Sequence, residues 1–279
     1  MNLGAAPLNN ERQTMKSKQN RRFVNPSCLT LLLAADALSG TFAAEVPAQA
    51  PAVDPAATHI LKRMTDYLGS LKQFSVNTQG TLEDLNDSGH RVDFDVSARA
   101  IVSRPNKLLA ERRGDLIDQN FYYDGKTTTL CNPSDKVYAT VPAPATIDGT
   151  LHYVRDSLGL IIPISDLVYS NAFPLLMQDV TYAAVVRKAF INGVKCDHLT
   201  FSRPGVDFQV WVADSGKPLP MKYVVTDTGT PALLSISTVM SDWNVAPAVP
   251  DARFTFVPPE GAKPITFMPL YTTTTSTNR

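Results

Sequence analysis

Residue types that carry most enzyme chemistry are scarce in this chain. Its 279 residues include three cysteines, four histidines and two tryptophans. No glycine-rich phosphate loop, no His-Glu-x-x-His and no Gly-x-Ser-x-Gly is present, so the nucleotide-binding, zinc-protease and α/β-hydrolase classes lose their main support. We therefore expect a protein that is not an enzyme and that uses neither a cofactor nor a metal.

The best candidate for chemistry is the run Cys196-Asp197-His198. A nucleophile needs a base within hydrogen-bond reach and a third group that orients this base, and nothing in the sequence fixes such a triad. Cysteine and histidine alone also fall short of the full ligand set of a zinc site. A packed or hydrogen-bonded structural role is the favoured interpretation.

The chain has no excess of positive charge. Lys and Arg total 26, as do Asp and Glu, but five basic and only two acidic residues lie in residues 1–44. The remainder carries 21 basic and 24 acidic residues. This slightly acidic balance argues against nucleic acid as a partner.

Residues 1–44 have the parts of a secretory signal peptide with a short N-terminal extension. A basic stretch at residues 16–22 precedes an apolar run at residues 28–38, and small residues follow. The alternative is a membrane anchor, but Asp36 interrupts the run, which is about half as long as a spanning helix needs. We expect cleavage of this segment and export to the periplasm.

Two cysteines lie beyond this leader, Cys131 and Cys196. An oxidising compartment permits a disulfide between them. A bond requires their Cα atoms to come within about 7 Å, which the sequence does not determine. Two separate buried thiols are the alternative.

Hydrophobic periodicity predicts one helix followed by many strands. Residues 45–53 form a Pro/Ala spacer. Asp54 is a typical helix N-cap, and Pro55 suits the first helical position. Apolar residues then recur at spacings of three and four as far as Leu71, which predicts an amphipathic helix. The period then changes to two, and Asp124-Gly125 gives the strongest hairpin signal. Residues 74–141 are therefore predicted to form a continuous β meander.

A helical insertion follows this meander. Ile147, Leu151, Val154 and Leu158 share one helical face, and short helical turns are expected from Ser165 and from Pro174. Strands with glycine in their connections return after Val180, and a Thr-rich tail at residues 271–279 is predicted to be disordered.

These elements predict a mainly β (α+β) fold with a single domain over residues 54–270. About ten strands in meander order would form a single curved antiparallel sheet, with helices covering its concave face. Two half-domains are the alternative, but one sheet is enough to cover both helical segments.

Several local motifs resemble a family of predicted periplasmic bacterial proteins of unknown function over residues 54–267. They are Tyr122-Tyr123-Asp124-Gly125-Lys126 leading to Asn132-Pro133, Gly193-Val194-Lys195-Cys196-Asp197-His198-Leu199, Phe208-Gln209-Val210-Trp211-Val212, Pro218-Leu219-Pro220-Met221-Lys222-Tyr223, and Phe254-Thr255-Phe256-Val257-Pro258-Pro259-Glu260-Gly261-Ala262. In its order of strands and helices that family is similar to the outer-membrane lipoprotein carriers of the LolA type. The resemblance implies an unclosed β-barrel with helices as a lid over an apolar cavity.

Five residues are candidates for the wall of such a cavity: Phe74, Val76, Phe94, Val96 and Trp211. For the first four the alternative is a plain core beneath the helix at residues 55–71. Trp211 shares a strand face with Asp207 and Gln209, so it faces either the cavity or the convex surface.

The functional hypothesis is a periplasmic, monomeric binding or carrier protein that holds a lipid acyl chain or a lipoprotein in the cavity. The alternative is an envelope stress sensor or scaffold that binds another envelope protein through the same fold, because a fold alone does not determine function.

Overall fold

The computed structural model describes residues 52–160 and 164–267. The predicted signal peptide and extension (1–44), the spacer as far as residue 51 and the Thr-rich tail (271–279) lie outside the described residues. No helix within these two ranges is long and apolar enough to cross a membrane.

Three α-helices lie where the periodicity predicts them. Helix α1 spans Pro55–Ser70, α2 spans Ile147–Asp156 and α3 spans Ala172–Met177. The predicted cap of α1 is confirmed, because the Asp54 carboxylate accepts a hydrogen bond of 2.8 Å from the amide of Ala56. A 3-10 turn at Ser165–Leu167 lies between α2 and α3. We refer to residues 147–177 as the insertion.

Twelve strands of the described chain form one sheet. In chain order they are β1 (Gln73–Leu85), β2 (Arg91–Ser103), β3 (Lys107–Gly114), β4 (Asp118–Tyr123), β5 (Thr127–Asn132), β6 (Val137–Pro142), β7 (Tyr182–Ile191), β8 (Val194–Arg203), β9 (Val206–Ala213), β10 (Pro220–Asp227), β11 (Ser235–Asn244) and β12 (Lys263–Pro264). Their order across the sheet is β12-β6-β5-β4-β3-β2-β1-β11-β10-β9-β8-β7.

The two halves of the chain meet at the centre of this sheet. Strand β1 pairs with β11, so the N-terminal meander and the C-terminal meander are joined edge to edge. The outer strands β12 and β7 do not pair with each other, and the sheet stays unclosed. The prediction of a single sheet forming an unclosed barrel is confirmed.

The sheet departs from the prediction in one respect. Strand β12 runs parallel to β6, with Lys263 opposite Val137, so the sheet is mixed rather than purely antiparallel. The segment before it crosses the convex face, where Phe254 is buried against Ile101 and Leu109. The chain therefore returns to β6 from the far side of the sheet, which a meander pattern does not anticipate.

The topology places the insertion across the sheet. Strand β6 lies next to one edge and β7 forms the opposite edge, so the segment joining them must span the sheet. Leu151 of α2 and Leu167 of the 3-10 turn are buried in the main core. The insertion thereby covers the face on which α1 also packs.

Helix α1 forms a solid core with strands β7 to β9. Its Leu61, Met64 and Leu68 are at most 1% exposed and face these strands. Leu199 and Phe201 of β8 are fully buried in the same core. Each such side chain contributes about 1.5–3 kcal/mol by leaving water. The same core extends to β1–β4 through residues such as Phe74, Val102 and Leu108, but other apolar residues of those strands, such as Val96, lie outside it.

Candidate functional site

An apolar cavity of about 340 Å³ lies on the concave face, beneath the insertion. Its walls come from β1 to β4 and β11 on one side and from Leu151, Leu167 and Val168 of the insertion on the other. This volume is at the lower end of the range of about 300–1,000 Å³ that is typical of small-molecule sites.

The residues of β2 show why the space is not filled. Phe94, Val96, Ala98 and Ala100 face the cavity and are apolar, yet each stays partly accessible. Two of them are alanines, whose short side chains occupy little of this space. Ala100 packs against the main core, but Phe94, Val96 and Ala98 belong to neither core cluster of the described residues. This shorter stretch of apolar wall therefore borders the cavity without packing against the core.

Gly80 on β1 belongs to the same wall. A Cβ atom at this position would lie 3.2 Å from Cγ1 of Val96 and 3.4 Å from Oγ1 of Thr238, closer than an ordinary contact. Glycine therefore lets the neighbouring side chains approach β1 and leaves the space above it empty.

Four of the five predicted wall residues lie together in this cavity. Phe74 and Val76 of β1 are 2% and 3% exposed and form its floor, whereas Phe94 and Val96 lie in the more open part. Whether they contact a ligand stays a prediction.

Trp211 lies elsewhere. Phe208, Val210 and Val212 turn inward to the main core, so strand alternation directs Trp211 to the convex face. There its ring stacks on His198 with 4.0 Å between ring centroids, and Nζ of Lys222 lies 5.1 Å from its centroid. Of the two orientations left open for Trp211, the structure has the one away from the cavity, because Phe208, Val210 and Val212 pack in the core instead. Trp211 is therefore not a residue of the cavity wall.

The tryptophan of the cavity wall is Trp243 on β11. Its indole N–H donates to the carbonyl of Pro220 at 3.1 Å, and its ring lies 5.8 Å from that of Phe74. Asp242 has a positive φ of 51° at an irregularity in the β1–β11 pairing. This bulge reverses the alternation, so a count by twos along β11 misplaces Trp243.

The two cysteines beyond the leader are free and buried. Cys131 lies on β5 and Cys196 on β8, with seven strands between them in the sheet. Of the two alternatives, the structure has two separate buried thiols and no bond between Cys131 and Cys196.

The run Cys196-Asp197-His198 makes structural contacts. Burial raises the pKa of the Cys196 thiol, which disfavours the reactive thiolate. Asp197 forms an ion pair with Lys188, and Nε2 of His198 hydrogen-bonds the side-chain oxygen of Gln209 at 2.8 Å. Burial lowers the pKa of His198. Within the two described ranges, no group of three or more His, Cys, Asp and Glu side chains is placed to hold a metal ion.

Arg104 ties the insertion to the sheet. Its Nη2 donates to the carbonyl of Val168 at 2.7 Å and to that of Tyr169 at 3.4 Å. Burial lowers the pKa of Arg104, and the charge of Asp148 opposes that shift. The Asp148 carboxylate in turn accepts hydrogen bonds from the amide and hydroxyl of Ser170. We call this set of contacts the Arg104 clamp. Nothing in the local sequence singles out this arginine.

A second, smaller cavity of about 220 Å³ adjoins the first and shares part of its lining, including Leu151, Ile164 and Ile236. It is more polar. Burial raises the pKa of Asp166 in its wall, and the positive charges of Arg203 and Arg155 oppose that shift. The two cavities together extend beneath much of the insertion.

These features define a class: an unclosed half-barrel in which helices cover an apolar cavity. The chain belongs to the family described as predicted periplasmic protein (DUF2092), whose model matches residues 57–268. The family resemblance of the sequence is thereby confirmed. No curated protein matches this sequence.

Several solved structures are similar to the chain. An uncharacterised conserved protein from Thermus thermophilus has 10% identity and a TM-score of 0.46, over 76% of this chain and 99% of that one. The Mycobacterium tuberculosis lipoprotein LppX has 16% identity and a TM-score of 0.40, over 68% and 96%. A LolA superfamily protein from Nitrosomonas europaea has 13% identity and a TM-score of 0.36, over 72% and 97%.

Proposed function

We propose that this protein is a periplasmic binding or carrier protein that holds an acyl chain of a lipid or lipoprotein in its concave cavity. The observation that carries the proposal is the stretch of apolar wall on β2, from Phe94 to Ala98, that borders the cavity and does not pack against the core. An apolar cavity of this kind gains free energy when an apolar ligand fills it.

The free energy of burying an acyl chain is sufficient for binding, so the proposed function needs no catalytic group. Burying an acyl chain gains about 0.8 kcal/mol per methylene, so one tail gains on the order of 10 kcal/mol before the cost of association. A wall that is apolar and partly preformed needs no further attractive group to retain a tail.

The turn between β3 and β4 forms the entrance. Leu116 in this turn borders the cavity and is 61% exposed. Leu82 of β1 and Ile117 lie in the wall beside it. An apolar rim that remains in contact with water suits the passage of a tail between membrane, partner and cavity.

A chemical test compares two adjacent substitutions on β2. Ala98→Phe places a ring in the cavity, whereas Ser97→Phe places the same ring on the exposed convex face. Mass spectrometry of extracts from the protein purified from the periplasm should find an acyl compound with the wild type and with Ser97→Phe, and little with Ala98→Phe. Absence of any acyl compound from the wild type, with no binding of added fatty acid, would refute the proposal.

The second candidate function is binding of another envelope protein. Strand β7 is an edge of the sheet, and its Val186 and Phe190 are 48% and 69% exposed. Exposed apolar side chains on an edge strand favour pairing with another chain. Recovery of one stoichiometric partner by the wild type but not by Phe190→Ser, from protein free of lipid, would favour this function.

A further inference from the structure

One cation lies in the wall of the apolar cavity. Among the described residues that line it, Arg112 of β3 is the only one with a cationic side chain. It follows Leu108 and Ala110 on the same face of the strand, and all three border the cavity. Alternation thus directs a guanidinium to a face that is otherwise almost entirely apolar.

The guanidinium of Arg112 has no partner within the described part of the chain. Among the described residues no hydrogen bond or ion pair to it is found, whereas Arg113 beside it pairs with Asp118 and Arg104 donates to carbonyls. Burial lowers the pKa of Arg112, and no carboxylate opposes that shift. Asp95, the acidic residue of the wall, accepts a hydrogen bond from the hydroxyl of Thr81 instead.

An unpaired, half-buried charge is costly unless a ligand compensates it. If Arg112 stabilised the fold, a carboxylate or carbonyl of the chain would be expected against it, as is found for Arg104. Its neighbours across the sheet are Ala98 and Gln119, one small and one polar, so space remains beside the guanidinium.

We propose that Arg112 binds the anionic head of a single-chain amphiphile whose tail occupies the cavity. This inference rests on the proposed function and names its ligand class. A guanidinium forms paired hydrogen bonds with the oxygens of a carboxylate or a phosphate, and the low dielectric of the apolar wall strengthens them. The head group is a carboxylate, as in a fatty acid, or a phosphate, as in a monoacyl phospholipid.

The test uses displacement of a neutral dye, N-phenyl-1-naphthylamine, from the purified protein. Three competitors share one twelve-carbon chain: dodecanoate, dodecyl phosphate and dodecanol. We expect both anions to displace the dye at concentrations at least about tenfold lower than dodecanol, since a hydrogen bond to a charged group discriminates by that factor or more. The order of the two anions identifies the head group.

Variants at Arg112 separate charge from apolar binding. Arg112→Met should abolish the preference for anions while dodecanol and the dye bind as before, and Arg112→Lys should retain part of it. Arg99→Met is the matched control, because Arg99 is exposed on the opposite face of the neighbouring strand β2. Urea unfolding should show Arg112→Met to be at least as stable as the wild type, because the substitution removes a half-buried charge that has no partner among the described residues.

The possible failures are distinct. Equal displacement by all three competitors in the wild type, or an anion preference that survives in Arg112→Met, would overturn the role of Arg112 and leave an apolar carrier. A wild-type protein that binds neither the dye nor any competitor would overturn the proposed function as well.

Discussion

Loss of the Arg104 clamp should release the insertion without unfolding the sheet. Arg104→Met removes one short hydrogen bond of 2.7 Å to Val168 and one long one of 3.4 Å to Tyr169. Hydrogen bonds from charged donors contribute about 1.5–3 kcal/mol, and the short bond supplies most of this. Local opening should therefore become roughly 10- to 150-fold more frequent. Global stability should change less, because substitution also removes a buried Nε that has no partner.

Amide hydrogen exchange measures this effect directly. The reporters are the amides of Leu167 and Val168, which are hydrogen-bonded within the insertion. Their exchange should accelerate in Arg104→Met while amides of the β1–β11 ladder keep wild-type rates. Arg99→Met, an exposed substitution on the preceding strand β2, should leave both sets unchanged. Unaltered exchange at the reporters in Arg104→Met, or equal acceleration throughout the sheet, would refute the clamp.

Three further predictions concern the core and the buried titratable groups. Leu61→Ala should lower the free energy of unfolding in urea by about 2–5 kcal/mol. Phe94→Ala should lower it by less, because the Phe94 ring borders the cavity. An equal decrease for the two variants would indicate that side chains fill the space around Phe94. Burial holds the pKa of His198 below its ordinary 6.5, so between the two values the unfolded chain binds a proton that the folded chain does not. The free energy of unfolding should therefore decrease as the pH falls from 6.5 towards the folded pKa. Urea unfolding at several pH values should show a smaller decrease for His198→Gln. Cys131 and Cys196 should react with a thiol reagent only after unfolding, and rapid modification of the native protein would contradict their burial.

Local physics made much of the fold predictable. The apolar stripe and cap of α1 and the Asp124-Gly125 turn act within a few residues, and the structure has both: Asp124 accepts hydrogen bonds from the amides of Lys126 and Thr127, and Gly125 has a φ of +96°. The change of period from three and four to two also located the strands. Such signals depend on neighbours in the chain, which a single sequence displays.

Features that depend on distant partners were not predictable. Alternation puts Trp211 on the strand face opposite Phe208 and Val210, but which of the two faces is concave depends on where α1 packs. Trp243 enters the cavity only through the bulge at Asp242, and Arg104 acts only because the insertion crosses to it. For Arg112 the sequence contains one usable signal, because this cation lies at a position of β3 that alternation directs to the same face as Leu108 and Ala110.

The central claim is that apolar ligands enter the space between β2 and the insertion and not the core beneath α1. A crystal structure with 12-bromododecanoate, in which anomalous scattering locates the bromine, tests it most directly. We predict a bromine peak within the cavity, in contact with side chains such as Val76 or Ala98. A peak confined to the outer surface, a peak between α1 and β8, or an unoccupied cavity at saturating ligand would contradict the account.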